Sequence, residues 1–339
     1  MGFPGWTVQW FLSYLSGRNA FVSVGCHRSD SFDITSGVPQ GSVLGPLIFV
    51  LFINDLCPRI SSYKQLFADD LKLYRVITSV IYCLALQRDL DELLLWCEEN
   101  GMKINIQKSK TISFSRGATI THLYAIGRVA LERVSSIRDL GVMIDAMLRF
   151  NDHVTHVTSK ALAVLGFIRR HTNQFTDIYA HKTLYCTLVH ALLEYAAPIW
   201  TPYRTSLIVR LERVQRQFIR FALRNLPWND PLHLPEYSAR CALISLETLT
   251  KRRKTLQQTF IFDLLIGIID CPQLLQEIPF YVAPRELRNT PLFAIPAHRT
   301  TYGLHNPLCS CLAAFNEVGA LYDPAISKHA FKYRLRNIR

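Results

Sequence analysis

The sequence has 339 residues, 49% of them hydrophobic and 19% charged, which is ordinary globular composition with enough apolar material for one large core or two smaller ones. Its 38 Lys and Arg against 26 Asp and Glu give a net charge of +12, which favours polyanionic partners. The longest apolar run, residues 43–53, contains Gly45 and Pro46 and is too short to span a bilayer. No signal peptide opens the chain, so membrane and secreted classes are disfavoured.

Nine cysteines, odd in number and scattered, predict free thiols in a reducing intracellular compartment, nuclear or cytoplasmic. A zinc site is a weak alternative, because the spacing of the C-terminal candidates matches no closed structural site. Those candidates are His298, His305, Cys309, Cys311 and His329.

The first 150 residues mix helical and strand patterns. Alternation of apolar and polar residues predicts a hairpin from 21–24 and 32–35, before a turn-rich loop at 36–42. Short apolar strands at 65–68 and 71–74 flank Asp69 and Asp70, which places this pair at a hairpin turn. Further helices are predicted at 8–15, 47–56 (buried) and 79–99, and further strands at 103–106, 111–114 and 138–145.

From residue 154 the periodicity becomes helical. The predicted helices are 154–170, 177–195, 206–224 and 245–268, and a basic helix or tail ends the chain at 331–339. Between them, residues 270–310 are Pro-rich and are expected to be irregular. We therefore expect an α+β chain in three parts, which are residues 1–150, a helical part at 151–270 and an irregular segment at 271–339.

The Asp69-Asp70 pair is the strongest candidate for chemistry. A carboxylate projecting from a turn can hold a hard divalent cation, and Mg²⁺ takes only one or two carboxylates plus substrate phosphates. Two such ions can clamp the attacking and leaving oxygens of a phosphoryl displacement. Alone, an Asp-Asp pair is usually a solvated turn, and the glycine-rich loop lacks the Gly-Lys-Ser/Thr of a phosphate-binding loop. The glycine-rich loop and the Asp-Asp pair, in this order and at this spacing, are a more specific signal than either motif alone.

The loop Ser36-Gly37-Val38-Pro39-Gln40-Gly41 resembles motif B of the reverse transcriptases of non-long-terminal-repeat retrotransposons, and Phe67-Ala68-Asp69-Asp70 resembles their motif C. Trp96 with residues 101–105 and 108–110 is similar to motif D, and residues 140–145 to motif E. Residues 184–200 are similar to the thumb of the jockey-like group. The resemblance implies a partial polymerase palm of the right-hand fold with part of the fingers, then a helical thumb and a tail.

The resemblance also implies roles for individual residues. Asp69 is the metal-ligating carboxylate of a two-Mg²⁺ site and Asp70 its less critical neighbour. Gly37, Pro39, Gln40 and Gly41 line the pocket for the template base and the incoming deoxynucleoside triphosphate. Lys110, or else Lys108, lies near the triphosphate. The implied partners are an RNA template and a DNA primer.

One expected element is missing from the resemblance. The family's motif A carries the first metal-binding Asp on a strand upstream of the helix that here begins near Phe3. The acidic residues before the glycine-rich loop are Asp30 and Asp33, and both fall in the predicted hairpin. We therefore expect an N-terminally truncated, inactive polymerase. The alternatives are a non-catalytic nucleic-acid-binding remnant and a decayed reading frame without a stable product.

A stripe of arginines is the second candidate for nucleic-acid contact. At 100° per residue, its five members fall within about 120° of one another on a helix, opposite an apolar face. They are Arg210, Arg213, Arg216, Arg220 and Arg224. Residues 152–260 hold 15 Lys and Arg against 7 Asp and Glu, which favours a phosphate-tracking surface over a merely solvated helix face.

Overall fold

The computed structural model describes residues 2–115, 117, 120–224, 235–282 and 290–337. The chain divides into two compact units, residues 1–135 and 136–339. The division falls ahead of the boundary predicted near residue 151, because the strand hairpin at 136–145 contacts the first long helix of the second unit. Among the described residues, no helix combines the length and apolarity needed to cross a membrane.

The first unit has three helices, a 3-10 turn and ten short strands among its described residues. The helices are α1 (Gly5–Leu15), α2 (Gly45–Ile53) and α3 (Val80–Glu99), and the 3-10 turn is Asn54–Arg59. The strands are β1 (Arg18–Ala20), β2 (Ser23–Val24), β3 (His27–Arg28), β4 (Phe32–Ile34), β5 (Tyr63–Phe67), β6 (Asp70–Tyr74), β7 (Lys110–Thr111), β8 (Ala125–Ile126), β9 (Val129–Ala130) and β10 (Glu132–Arg133).

The strands pair in two-stranded ribbons. The predicted hairpin of residues 21–24 with 32–35 is wrong in detail, since β1 pairs with β4 and β2 pairs with β3. The glycine at position 25 has φ +62°, so the chain turns there and gives the segment a nested second hairpin. No strand forms at 103–106, where the backbone turns through hydrogen bonds from Ser109 to Asn105 and Ile106.

A small core joins α2, α3 and the β5–β6 hairpin. Leu56, Ile60 and Trp96 are buried at its centre, and Leu66 and Leu71 of the hairpin pack against it. The predicted helix at 47–56 exists, but it is not fully buried: Leu47 and Val50 are each 52% exposed.

The second unit is mainly helical. It begins with the antiparallel hairpin of β11 (Ser136–Asp139) and β12 (Val142–Asp145), which confirms the predicted strand and turn. Among its described residues, the first six helices are α4 (Asn151–His171), α5 (Ile178–Tyr185), α6 (Ala191–Glu194), α7 (Ala197–Trp200), α8 (Thr205–Ala222) and α9 (Tyr237–Leu243), with a π-helical turn at Cys186–His190. The remaining helices are α10 (Leu249–Leu265), α11 (Pro272–Gln276), α12 (Thr301–Leu304), α13 (Pro307–Asn316) and α14 (Lys328–Arg336), with a 3-10 turn at Gly319–Leu321.

Helices α4 and α8 form the centre of the larger core. Val154, Leu165, Val214 and Phe218 are almost fully buried between them, and Tyr185 stacks on Phe218 at 4.0 Å between ring centroids. Apolar residues at intervals of three and four put one face of each helix in this core and leave the other exposed.

The proline content predicted an irregular segment from residue 271 onward, but the structure has helices there. Helices α13 and α14 pack on α10 around Phe262, Phe315 and Phe331. Pro307 is the first residue of α13, a position without an intrahelical acceptor for its missing N–H, so this proline starts a helix. Asn306 caps the same helix by accepting a hydrogen bond from the amide of Leu308 at 2.9 Å.

Candidate active site and basic helix

The Asp69-Asp70 pair lies at the tip of the β5–β6 hairpin, as the sequence predicts. Phe67 pairs with Asp70 in the ladder, so Ala68 and Asp69 form a two-residue loop. Ala68 has φ +52°, the left-handed region that is costly for a residue with a Cβ. Both carboxylates are exposed. The tight turn therefore presents two oxygen-donor groups side by side at the end of a ribbon.

A buried carboxylate on α3 fixes the base of this hairpin. Asp89 accepts hydrogen bonds from the backbone amides of Ser61 and Ser62, both at 2.8 Å, and from both seryl hydroxyls. Arg75, directly after β6, donates to the two hydroxyls at 2.7 and 2.9 Å and lies 3.7 Å from the Asp89 carboxylate. The start of β5 and the end of β6 are thus tied to one side chain.

Opposing effects act on the pKa of Asp89. Burial raises it, but the hydrogen bonds from Ser62 and Ser61 together outweigh burial and leave the pKa below its ordinary value of 3.8. The carboxylate is therefore ionised at neutral pH, and its charge strengthens each bond that it accepts.

The glycine-rich loop is held in a defined shape. Gly37 and Gly41 have φ +75° and +82°, a conformation that only glycine adopts easily. Arg18 donates hydrogen bonds to the carbonyls of Gly37 at 2.7 Å and Ser36 at 3.3 Å. Gln40 is exposed beside Gly41.

The end of this loop leaves no room for a side chain. A Cβ at Gly45 would lie 2.8 Å from the carbonyl oxygen of Pro39 and 3.0 Å from the hydroxyl of Ser42. The Ser42 hydroxyl donates to Pro39 at 2.7 Å and accepts from the amide of Gly45 at 3.0 Å. The loop is thereby folded back onto the first turn of α2.

A shared core relates the loop to the hairpin. Phe49 and Ile53 of α2 belong to the same apolar cluster as Leu66 and Leu71 of the hairpin. The helix that follows the loop and the ribbon that carries Asp69 therefore pack on common neighbours.

The two candidate lysines differ in their surroundings. Lys110 on β7 forms an ion pair with Glu132 on the neighbouring strand β10. Lys108 is exposed in the preceding turn, and its ammonium forms no ion pair within the described part of the chain. A surface ion pair such as Lys110–Glu132 contributes about 0–1 kcal/mol to stability, so Lys110 can exchange Glu132 for another anion at small cost.

The arginine stripe lies on and just after α8, and four of its five members face outward as predicted. Arg210, Arg213, Arg216 and Arg220 are exposed, and Arg224 is half-buried just after the helix. The opposite face is buried through Leu207, Leu211, Val214, Phe218, Phe221 and Ala222.

Three members of the stripe have local contacts. Arg210 donates to the hydroxyl of Thr155 at 2.7 Å, and the guanidinium of Arg216 lies 4.7 Å from the centre of the Tyr237 ring. Arg224 donates to the carbonyls of Phe221 and Asn173. None of these contacts neutralises the charge.

The C-terminal His and Cys residues are only partly brought together. Cys309 Sγ lies 3.4 Å from His298 Nε2, whereas His305 stacks on Tyr203. The described residues contain no group of three or more potential metal-ligating side chains. All nine cysteines, each of them among the described residues, are free.

The supporting residues Arg18, Arg75 and Asp89 were not predicted from the sequence. A signal was present for the last of these, because Asp89 is seven residues before the buried Trp96 and so falls on the same face of α3. A charged residue at a core position requires partners, and the two serines after Ile60 supply them.

Comparison with known proteins gives a family match over the first 168 residues. The family model described as reverse transcriptase (RNA-dependent DNA polymerase) matches residues 1–168. The match includes the glycine-rich loop, the Asp69-Asp70 hairpin and helix α3.

Relatives of known classification extend the match. A probable RNA-directed DNA polymerase from transposon X-element of Drosophila melanogaster is 27% identical over 232 residues, covering 65% of this chain and 25% of the relative. The RNA-directed DNA polymerase from mobile element jockey of the same species is 29% identical over 156 residues, which cover 43% of this chain and 17% of the relative. A Pol polyprotein from the R1 element of Bradysia coprophila is 25% identical over 224 residues, covering 60% and 22%. The chain spans about a quarter of the first two relatives of this kind, the X-element and BS proteins.

No solved structure matches the chain significantly. The family match implies a palm-type polymerase fold, and the structure is mixed helix and strand. Residues 1–168 belong to the reverse transcriptase family, and the chain is similar to the RNA-directed DNA polymerases of non-long-terminal-repeat retrotransposons.

Proposed function

We propose that this chain is the palm and thumb portion of an RNA-directed DNA polymerase that adds deoxynucleotides to a primer 3′ hydroxyl on an RNA template. The observation that carries the proposal is the hairpin tip, where the paired carboxylates are exposed on a ribbon anchored through Asp89. Family membership supports the same reaction class.

The donor set fits Mg²⁺ as part of a site. Asp69 and Asp70 offer carboxylate oxygens only, which are the ligands that Mg²⁺ prefers, and it commonly uses one or two of them together with substrate phosphates. Asp69, at the loop position, would hold the metal, and Asp70, fixed in the ladder opposite Phe67, would be the less critical neighbour. When bound, Mg²⁺ would neutralise charge on the transferring phosphate.

The chain's own residues would position the substrates. The loop of Gly37, Pro39, Gln40 and Gly41 exposes backbone and one amide side chain to a base and an incoming nucleotide. Lys110, or else Lys108, would supply a point charge to the triphosphate. The weak surface pair with Glu132 leaves Lys110 available.

We also propose the assignment of regions to the polymerase hand. Residues 1–150 would be palm with part of the fingers, and residues 151–270 a helical thumb. Residues 271–339 would extend the thumb, since α13 and α14 pack on α10.

Catalysis by these 339 residues alone is not expected. A two-metal site needs a further carboxylate, and Asp30 and Asp33 occur next to the glycine-rich loop rather than in the context of the family's motif A. We expect no primer extension on an RNA template with Mg²⁺ or Mn²⁺. A longer polypeptide that adds the motif A strand should extend the primer. Template-dependent extension by the 339 residues, abolished by Asp69→Asn, would contradict this account.

A non-catalytic nucleic-acid-binding role is the second candidate, supported by the outward arginines on α8. Such a row would contact phosphates without sequence preference, and counterion release would make affinity fall steeply with salt. Replacing Arg213, Arg216 and Arg220 by Gln should flatten the slope of log affinity for an RNA–DNA hybrid against log salt by about one unit for each arginine that binds a phosphate. An unchanged slope, with helicity intact by circular dichroism, would make the stripe a solvated helix face.

A further inference from the structure

An open pocket of about 500 Å³ lies at the end of α4 and the end of α8. Three arginines line it, two from the last turn of α4 and one from the residue after the C-cap of α8. They are Arg169, Arg170 and Arg224. The other lining residues are Gly166, Asn173 and Phe221, so no acidic side chain faces the pocket among the described residues.

The guanidinium groups are already positioned. Arg224 lies 4.2 Å from the centre of the Phe221 ring and donates to the carbonyls of Phe221 at 3.0 Å and Asn173 at 2.8 Å. Arg169 lies 5.7 Å from the centre of the same ring. Nη1 of Arg170 lies beside Gly166, 3.4 Å from where a Cβ would be, which is ordinary van der Waals contact. Two arginines from different helices therefore share one aromatic neighbour.

The charge in the pocket is not neutralised. None of the three arginines forms an ion pair with a carboxylate in the described part of the chain. The two helix C-termini contribute about −0.5 charge each, which leaves a net charge of about +2. All three arginines lie at a helix C-terminus and compensate the dipoles of α4 and α8, but their three positive charges exceed that compensation.

This charge and geometry select the form of phosphate that fits. A phosphodiester inside a nucleic-acid strand carries one negative charge, whereas a terminal phosphate monoester approaches −2 at neutral pH because its second pKa is about 6. A monoester also presents three free oxygens to the planar guanidinium donors. We propose that the pocket of Arg169, Arg170 and Arg224 binds the terminal 5′-phosphate of a nucleic-acid strand.

The proposal deepens the proposed nucleic-acid binding, on which it rests for its ligand class. The pocket shares Arg224 with the stripe but differs from Arg210, Arg213, Arg216 and Arg220 in what it binds. The outward arginines would bind any backbone phosphate, whereas the pocket would bind the phosphate at a strand end. The two can therefore be separated by changing only the end of the ligand.

The test measures binding of the full chain to two single-stranded DNA oligonucleotides of one sequence, one with a 5′-phosphate and one with a 5′-hydroxyl. The parent chain should prefer the phosphorylated strand by about tenfold, the size of one additional charge-assisted hydrogen bond. The double variant Arg169→Gln/Arg170→Gln should lose the preference. Both side chains are exposed, so the helix should stay folded. As the matched control, Arg213→Gln/Arg216→Gln should weaken both ligands and keep the preference.

The outcomes separate the two proposals. Equal affinity of the parent for both ligands, or a preference that survives in the Arg169/Arg170 variant, would overturn the pocket proposal while leaving the stripe intact. Binding of the phosphorylated strand alone would support the pocket and refute the stripe. Stronger competition by a deoxynucleoside triphosphate than by the 5′-phosphorylated strand would assign the pocket to free nucleotide and overturn the proposal as stated.

Discussion

Removal of the Asp89 carboxylate should loosen the hairpin that carries Asp69. In the Asp89→Ala variant, the buried amide of Ser62 loses its acceptor, and Arg75 loses the negative charge 3.7 Å away. A buried donor left unsatisfied costs about 1–3 kcal/mol, and breaking a buried charged pair costs about 3–5 kcal/mol. Because Arg75 keeps its seryl partners, we expect a local destabilisation of about 3 kcal/mol, near the low end of the second range.

Hydrogen exchange is the suitable assay, because it reports opening of the hairpin separately from unfolding of the rest. A loss of about 3 kcal/mol corresponds to protection that falls by roughly a hundredfold at the amides of Ser61 and Ser62. Asp89→Asn should have about half the effect in free energy, since it keeps the shape but removes the charge that strengthens the bonds.

Glu92→Ala supplies the matched control, since Glu92 is an exposed acid on the same helix. It should leave the protection of Ser61 and Ser62 unchanged. An equal loss of protection in Asp89→Ala and Glu92→Ala would refute the reasoning, because the effect would then come from α3 in general. A loss of stability below about 0.5 kcal/mol in Asp89→Ala would also refute the reasoning, because ordinary surface substitutions have effects of that size.

Two further predictions concern the loop and the second unit. Gly45→Ala should destabilise the first unit by about 1–3 kcal/mol in urea unfolding, because the new Cβ would lie 2.8 Å from the Pro39 carbonyl oxygen. The control Gly5→Ala adds a Cβ in open space and should leave stability unchanged. An increase in stability in Gly45→Ala would contradict this account of the packing. Burial lowers the pKa of His153 from 6.5 to about 4, so the unfolded state binds the proton more tightly and stability should fall by up to about 3 kcal/mol from pH 6.5 to 4. His153→Gln should lose that pH dependence, whereas His329→Gln, at an exposed site, should keep it. The same slope in both variants would rule out His153 as its source.

The elements predicted well are those whose signal is local. The apolar strands on either side of Asp69 and Asp70 predicted the hairpin, and the regular spacing of apolar residues on α8 predicted which arginines face outward. In both cases the sequence period alone decides which side of the element is buried.

The elements predicted poorly depend on distant partners. Asp89 is 27 residues from Ser62, and its pairing cannot be seen in either local pattern. The helices of the C-terminal segment were hidden by prolines that start helices rather than prevent them, as at Pro307. The φ of +52° at Ala68 also comes from the two-residue loop that the ladder imposes, not from a residue that favours it.

We propose Asp69 as the metal-binding carboxylate of a polymerase palm. Its most direct test is primer extension on an RNA template by a polypeptide that joins the motif A strand to these 339 residues. Asp69→Asn should reduce turnover far more than Asp70→Asn, because the first removes a charged metal ligand and the second a neighbour held in the ladder. Equal losses for the two substitutions, or full activity of Asp69→Asn, would contradict the assignment.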